Sequence, residues 1–249
     1  MRKLSVLLAI AGVTGLVTPA MAQDVASPRV NSKGAYVTAG VGGGWSSSPS
    51  ANDTVSGTVL GIPYAGSASG SASLGGGVAA DAGIGYDFGN SIRAEVSYVL
   101  GRYAIGSSSY AGSISAAGRT FPLNGTISAS GNLATNSAMV SGYYDLKSTS
   151  RFTPYVGAGI GYTSVSIPSM PASATVNSTT LNNRSLHGGS GSALGYQAKL
   201  GVSYAVSRPA DLFAEVIYQG NTGVTINDVA FGALNAFSVR AGARLRFAR

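Results

Sequence analysis

The stretch FSVRAGARLRFAR, residues 237–249, alternates two kinds of side chain. Small, polar or basic side chains occupy every second position, at Ser238, Arg240, Gly242, Arg244 and Arg246. The positions between and around them are apolar, at Phe237, Val239, Ala241, Ala243, Leu245 and Phe247. This period of two predicts a β-strand with two unlike faces. Alternation alone does not say which face is inside, because a water-soluble sheet and its inside-out opposite share the pattern.

The N-terminal segment has the features of an export signal. Arg2 and Lys3 precede an apolar run over residues 4–17, and Ala20-Met21-Ala22 fits the small-x-small rule for cleavage before Gln23. The sequence therefore predicts a signal peptide over residues 1–22 and one mature domain over residues 23–249. No later segment approaches the ~18 unbroken apolar residues that a membrane-spanning helix needs.

The composition is unusual for an exported soluble domain. Charged residues make up 10% of the chain and cysteine is absent, whereas soluble proteins carry about 25% charged residues. Too few charges are present to cover a water-facing exterior, which indicates contact with lipid. The basic residues are scattered singly, and this argues against a nucleic-acid surface. With no cysteine, no disulfide is expected.

Alternating segments recur along the chain, with turn residues between them. Seven lie at residues 35–45, 78–88, 92–100, 138–146, 152–166, 192–206 and 212–218, and the closing segment is the eighth. An even number of strands suits a closed antiparallel barrel. Short turns at residues 87–90, 147–151 and 207–211 alternate with long Ser- and Gly-rich connections at residues 46–75, 104–133, 167–191 and 220–233. Short turns and long external loops are typical of bacterial outer-membrane barrels.

The spacing of aromatic residues indicates which face meets lipid. Phe237 and Phe247 share a strand face ten positions apart, as do Phe152 and Tyr162, and Tyr196 and Tyr204 nearly match this spacing. Ten residues of a tilted strand climb ~25 Å, which is the height of the apolar band between two aromatic girdles. We therefore expect the apolar face to contact lipid and the arginines to point into the lumen.

Charged residues on the predicted inward face form a candidate network. Its members are Asp81, Arg93, Glu95, Lys199, Glu215, Arg240 and Arg244. An eight-stranded barrel is just wide enough for side chains to fill it, so we interpret the set as a structural charge network in a filled lumen. The alternative is a permeation path lined by the same side chains.

Four stretches resemble a known family. They are RFTPYVGAGIGYT at residues 151–163, IRAEVSY at 92–98, SGYYDL at 141–146, and the arginine-rich final strand. The chain resembles the opacity-protein and OmpA/OmpX-like family of eight-stranded outer-membrane barrels of Gram-negative bacteria. The resemblance implies an all-β, eight-stranded antiparallel barrel in the cell outer membrane, with lipid, lipopolysaccharide and the barrel-assembly machinery as partners. It also implies that Phe247 is the aromatic assembly signal, here followed by Ala248 and Arg249.

Two apparent catalytic or cofactor motifs have simpler interpretations. The glycines of residues 157–161 resemble a dinucleotide loop, but they recur every second residue and no helix follows, so they lie on one strand face. His187 is the only histidine and could pair with Ser190, as in outer-membrane lipid hydrolases, yet the glycines beside it suggest a flexible loop. We expect neither an enzyme nor a cofactor or metal site.

Two of the long connections share a pattern. Residues 61–75 and 120–134 both begin with an apolar-Pro-apolar-x-Gly step and continue in a Ser-rich tail. This predicts either paired hairpins that extend the barrel outward or a chance similarity in Gly/Ser/Ala-rich sequence.

Two functions remain open. The first is a surface structural or interaction protein that binds an extracellular or host ligand. The second is a small channel for small or apolar solutes.

Overall fold

The computed structural model describes residues 33–59, 61–177, 179–227 and 229–247. The predicted signal peptide, residues 1–22, lies outside the described residues, as do Ala248 and Arg249. In the described part of the chain there is no helix long and apolar enough to cross a membrane.

The described residues form sixteen β-strands. In chain order these are β1 (Gly34–Ser46), β2 (Ser50–Val59), β3 (Ile62–Ser71), β4 (Leu74–Asp87), β5 (Ile92–Ile105), β6 (Ser108–Ala116), β7 (Arg119–Ala129), β8 (Gly131–Asp145), β9 (Phe152–Ile167), β10 (Met170–Val176), β11 (Thr179–Leu186), β12 (Gly189–Ala205), β13 (Ala210–Asn221), β14 (Val224–Ile226), β15 (Val229–Phe231) and β16 (Asn235–Arg246).

Eight strands close into an antiparallel barrel in the order β1-β16-β13-β12-β9-β8-β5-β4. The first and last barrel strands complete the cylinder, with Thr38 opposite Arg244 and Val41 opposite Ala241. All eight predicted strands are confirmed. Several run further than the alternating sequence predicted: β5 continues to Ile105 and β8 begins at Gly131, where the two strands still pair. Closure leaves no free edge, so the barrel backbone pairs within the protein.

The barrel is apolar outside and charged inside, the reverse of a soluble protein. Along β5, burial alternates residue by residue from Ile92 to Ala104, and Arg93 is fully buried while Val96 is 53% exposed. On β16, Arg240 is 2% exposed and Val239 is 51% exposed. The predicted orientation of the two faces is therefore confirmed: the apolar face is outside, and Arg93 and Arg240 point inward.

Aromatic residues gather near both ends of the apolar exterior. At the end with the short turns, called the turn end, the rings of Phe152 and Tyr204 lie 4.9 Å apart. At the opposite end, called the outer mouth, Tyr218 lies 4.9 Å from Phe237 and 6.3 Å from Tyr196. Aromatic girdles of this kind mark the two membrane interfaces of an outer-membrane barrel.

The long connections are not loops, and that part of the prediction was wrong. Residues 46–75, 104–133, 167–191 and 220–233 supply four hairpins, which join edge to edge in the order β11-β10-β7-β6-β3-β2-β15-β14. We call this second, eight-stranded layer the external sheet. Its Gly, Ser and Ala residues give no strong alternation of polarity, yet their small side chains allow backbones to pair closely. The β6–β7 hairpin turns at Ala117 and Gly118, both with positive φ, as a type I′ turn requires.

The paired-hairpin interpretation of the two similar segments is confirmed. β3 lies beside β6 along its length, from Tyr64 opposite Ala116 to Ser71 opposite Ser109. The first two hairpins therefore form one continuous four-stranded surface, β2-β3-β6-β7. The external sheet extends the barrel outward as ordered structure.

The outward orientation of Ala241 allows a test of the barrel's two faces. Ala241 is exposed on β16, opposite Val41. We expect Ala241→Arg to lower the free energy of unfolding by roughly 2–4 kcal/mol, because the change places a cation in the hydrocarbon near the bilayer centre. Ala241→Leu is the matched control and should be neutral or stabilising. Reversible urea unfolding in lipid vesicles measures both; equal stability of the two variants would contradict the lipid-facing assignment.

Candidate functional site

Two arginines deep in the lumen form close ion pairs. Arg240 Nη1 lies 2.8 Å from Asp81 Oδ1, and the two side chains are only 1% and 2% exposed. Arg93 holds Asp145 through two nitrogens, with Nη2 2.8 Å from Oδ1 and Nε 2.9 Å from Oδ2. A two-point contact of this type is among the strongest charge-assisted hydrogen bonds, and it fixes the position of both side chains.

Hydroxyl groups complete the hydrogen bonding of the buried glutamates. Lys199 Nζ lies 3.5 Å from Glu215 Oε1, and the Tyr155 hydroxyl donates to Glu215 Oε2 at 2.9 Å. The Tyr143 hydroxyl donates to Glu95 Oε1 at 2.9 Å. Buried carboxylates are costly unless paired and hydrogen-bonded, so these phenols keep both glutamates satisfied away from water.

A second group of charges lies at the turn end of the lumen. Arg246 Nη2 lies 3.0 Å from Asp211 Oδ2 and 3.7 Å from Asp87 Oδ2. Arg244 Nη1 lies 3.6 Å from the same Asp211 oxygen. Asp211 therefore lies between two cations contributed by the last strand.

All seven charged residues predicted for the lumen are inward and buried. Within the set, Arg240 pairs with Asp81 and Lys199 with Glu215, whereas Glu95 is held by hydroxyls. Sequence reasoning missed three acids, Asp87, Asp145 and Asp211. A usable signal existed, because Asp145 shares strand parity with Ser141 and Tyr143, and Asp211 shares it with Phe213 and Glu215. All three stand near strand ends, and Asp87 and Asp145 fall inside segments that were predicted to alternate, but their parity was not used to place them in the lumen.

Three buried tyrosines each lie over a glycine on the neighbouring strand. The cross-strand pairs are Tyr36 with Gly85, Tyr143 with Gly157, and Tyr155 with Gly201. A Cβ atom at any of these glycines would overlap the tyrosine ring. The glycine stripe of residues 157–161 is thus a smooth wall that accommodates large side chains, in agreement with its interpretation as a strand face.

The rings and the guanidinium groups stack on one another. Arg93 Cζ lies 4.6 Å from the centre of the Tyr143 ring and 5.1 Å from that of Tyr155. Arg244 Cζ lies 5.2 Å from the Tyr36 ring. Cations over ring faces are attracted most strongly where water is excluded. Together with the buried Met139 and Ile217, these groups fill the middle of the barrel.

An apolar cluster covers the outer mouth. Its buried members are Tyr103, Leu133, Val165, Val224, Ile226, Leu234 and Ala236. Barrel strands β5, β8, β9 and β16 supply four of these residues, and β14 of the external sheet supplies two. The cluster therefore attaches the external sheet to the barrel by burial of apolar surface.

The remaining predicted residues lie on the surface. Phe247 is 58% exposed, and its backbone N–H donates to the Ala35 carbonyl at 3.0 Å, so this residue continues the ladder between β1 and β16. His187 and Ser190 are both exposed near the junction of β11 and β12. Among the residues that the structure describes, no three His, Cys, Asp or Glu side chains come together as a metal site.

The profile of a protein family described as "Surface antigen" matches residues 78–244. The chain belongs to this surface antigen family. The matched span runs from β4 to β16 and omits only β1 among the barrel strands. No curated protein matches the chain.

Three solved structures of bacterial outer-membrane or surface proteins are similar to the chain. Neisserial surface protein A (NspA) is 22% identical, with a TM-score of 0.48, covering 86% of this chain and 97% of that one. OprG from Pseudomonas aeruginosa is 14% identical, with a TM-score of 0.43, covering 90% and 100%. Ail of Yersinia pestis, solved in complex with a heparin analogue, is 12% identical, with a TM-score of 0.37, covering 85% and 99%.

Family membership and the apolar exterior of the closed barrel assign the chain to the outer membrane of a Gram-negative bacterium. The predicted eight-stranded antiparallel barrel is confirmed, and the part of the chain that matches the surface antigen family contains seven of its eight strands.

The glycine wall can be tested with one substitution inside and one outside. Gly157→Val should lower the free energy of unfolding by about 1–3 kcal/mol, because the new side chain overlaps the Tyr143 ring in a packed interior. Gly142 on β8 has open space around it and is exposed. Gly142→Val should therefore be neutral or stabilising. Urea unfolding in vesicles compares them, and similar losses at both sites would show that the lumen is not packed as described.

We expect the contributions of Arg93 and Asp145 to the free energy of unfolding to be strongly coupled. Asp145→Leu should cost about 3–5 kcal/mol, because it leaves the buried Arg93 guanidinium without its carboxylate. The double variant Arg93→Met/Asp145→Leu should recover much of that loss, since no unpaired charge remains. A double-mutant cycle measured by the same unfolding assay gives the coupling energy; additive losses would contradict a desolvated pair.

Proposed function

We propose that the chain is a non-enzymatic surface interaction protein that binds an extracellular or host ligand through its external sheet. One observation carries the proposal. Buried ion pairs and stacked rings fill the lumen, whereas the accessible polar surface belongs to the hairpins. A rigid barrel that holds a recognition surface above the membrane is a common arrangement, because binding residues concentrate on connecting segments held by a scaffold.

The surface of the external sheet has a defined chemical character. Its exposed hydroxyl-bearing residues include Ser67, Ser69, Ser71, Ser109, Ser115, Thr120, Thr126 and Ser128. Some stand directly opposite each other on paired strands, such as Ser71 and Ser109, and the Ser115 and Thr120 hydroxyls are 2.8 Å apart. Hydroxyl groups both donate and accept hydrogen bonds. This surface therefore fits a polar ligand that is recognised mainly by hydrogen bonds.

A small channel for small or apolar solutes is the second candidate, favoured by a mainly apolar cavity that lies above the barrel. The packed lumen argues against this function, because Arg93, Met139 and Ile217 have essentially no accessible surface. An eight-stranded barrel of this kind leaves little room for a path.

Conductance separates the two functions. Purified mature protein reconstituted in planar bilayers should give no steady, reproducible open-channel steps, because the charged and aromatic side chains occlude the lumen. A known porin added afterwards confirms that the bilayer can report a channel. Reproducible conductance steps from the pure protein would favour the channel over the surface interaction protein.

Surface binding is tested by removing one hairpin. Residues 106–130 are replaced by Asn-Gly, which joins the paired residues Ile105 and Gly131 through a two-residue turn. Bacteria that display the full chain, the trimmed chain or the lipid-face control Ala241→Leu are applied to arrays of extracellular-matrix proteins and glycans. We expect binding by the full chain and the control, and loss of binding by the trimmed chain at equal surface amount. Absence of binding by the full chain to every component, or unchanged binding by the trimmed chain, would contradict the proposal.

A further inference from the structure

We infer that a cavity between the external sheet and the outer mouth binds the hydrocarbon chain of an uncharged, linear apolar molecule. The cavity has a volume of about 580 Å³, within the ~300–1,000 Å³ of small-molecule sites. It lies outside the packed lumen, and Ser69, Ser71 and Ser109 of the external sheet also line it. The inference concerns a hydrocarbon chain and does not depend on the polar ligand proposed for the exposed hydroxyl groups.

The walls of the cavity are mainly apolar. Ala68 of β3, Ile127 of β7 and Phe231 of β15 contribute from the external sheet, and Ile105 and Leu133 contribute from the barrel strands. A ligand that is polar along its whole length would lose more hydrogen bonds to water than Asp53 and the few lining hydroxyl groups can replace, and each unreplaced bond is costly in apolar surroundings. A hydrocarbon chain gives up no hydrogen bonds when it enters the cavity, and its burial removes apolar surface from water.

The floor of the cavity prevents onward movement into the barrel. Leu133 stands opposite Tyr103 on the neighbouring strand, and both belong to the buried cluster at the outer mouth. Tyr103 in turn pairs with Gly77, and Asp81, four residues further along β4, is engaged by Arg240. A ligand chain therefore meets buried side chains and then an ion pair. The cavity is therefore a binding pocket that is closed at its barrel end.

The charge of the lining restricts the head group of the ligand. Asp53 lines the cavity, is exposed, and stands opposite Ala68. The described lining residues include no Lys, Arg or His side chain. A carboxylate head group would meet a negative charge without a compensating cation, whereas a hydroxyl group can donate a hydrogen bond to the Asp53 carboxylate. The site thus favours a long-chain alcohol over the corresponding fatty acid anion.

The first test measures binding in lipid nanodiscs. Mature protein is loaded with the neutral fluorophore N-phenyl-1-naphthylamine, which is then displaced by straight-chain alcohols from hexanol upward. Displacement should saturate at one site per protein, and affinity should rise about threefold to fourfold per CH₂ group and then level off when the chain fills the cavity. Empty nanodiscs give partitioning into lipid alone. Displacement that matches empty nanodiscs, or affinity independent of chain length, overturns the inference.

Two neighbouring substitutions on β3 locate the site. Ala68→Phe fills the cavity and should weaken alcohol binding by about tenfold or more, since a packed site does not accommodate the added ring and the ligand together. Ser67 is exposed and does not line the cavity, so Ser67→Phe should bind within about twofold of the unaltered protein. Heat-modifiable migration on SDS gels checks that both variants fold. Undiminished binding by folded Ala68→Phe overturns the assignment, as does an equal loss in Ser67→Phe.

The head-group preference has its own test. At about pH 8, where a fatty acid is ionised, dodecanoate should displace the probe less well than dodecanol. Asp53→Asn should strengthen dodecanoate binding and leave dodecanol binding nearly unchanged. If dodecanoate binds as tightly as dodecanol in the unaltered protein, or if Asp53→Asn leaves the preference in place, the carboxylate does not select the head group and the inference fails in that part.

Discussion

Backbone pairing in the absence of water is the constraint on which this structure depends. Within hydrocarbon, each unpaired N–H or C=O group costs several kcal/mol, so a sheet must close on itself. The ladder between β1 and β16 provides that closure. Once the sheet is closed, strand geometry sends alternate side chains to lipid and to the lumen, and charged residues in the middle of the barrel strands have only the lumen available. Val239 faces outward and Arg240 faces inward because consecutive residues of a strand point to opposite faces of the sheet.

The narrow interior of an eight-stranded barrel then determines what the lumen can contain. Arg93 is satisfied by a two-point contact with Asp145 and by the face of the Tyr143 ring. That ring needs the space that Gly157 leaves on the next strand. Charge pairing, ring stacking and glycine placement therefore depend on one another in the packed lumen. A path for solutes would require these contacts to be broken. Recognition and ligand binding are consequently assigned to the layer outside the membrane.

The barrel could be predicted from sequence because membrane contact imposes a strict period of two on strands such as β5 and β16. The external sheet could be predicted only in part. The shared pattern of residues 61–75 and 120–134 indicated paired hairpins, but no lipid imposes alternation on the external strands, which are held by backbone pairing between small residues such as those of β3 and β6. Strand parity identified most of the inward charges. Asp211 was missed because it was assigned to a turn, and Asp145 was not assigned to the lumen although it lies inside an alternating segment. The apolar cavity was invisible because Ala68, Ile127 and Phe231 lie far apart in sequence and meet only through strand pairing.

The most direct measurement of the inside-out arrangement uses single spin labels, which the chain permits because it has no cysteine. Cysteines replace the outward residues Ala94, Ala138 and Ala214, and the inward residues Ser97, Ser137 and Ser203. Each is labelled in the unfolded state, and the protein is then refolded into vesicles. The account predicts that outward labels collide often with oxygen dissolved in the lipid and rarely with a water-soluble nickel complex, whereas inward labels are shielded from both. Outward labels that meet the nickel complex more often than oxygen, or inward labels as open to oxygen as outward ones, would contradict it.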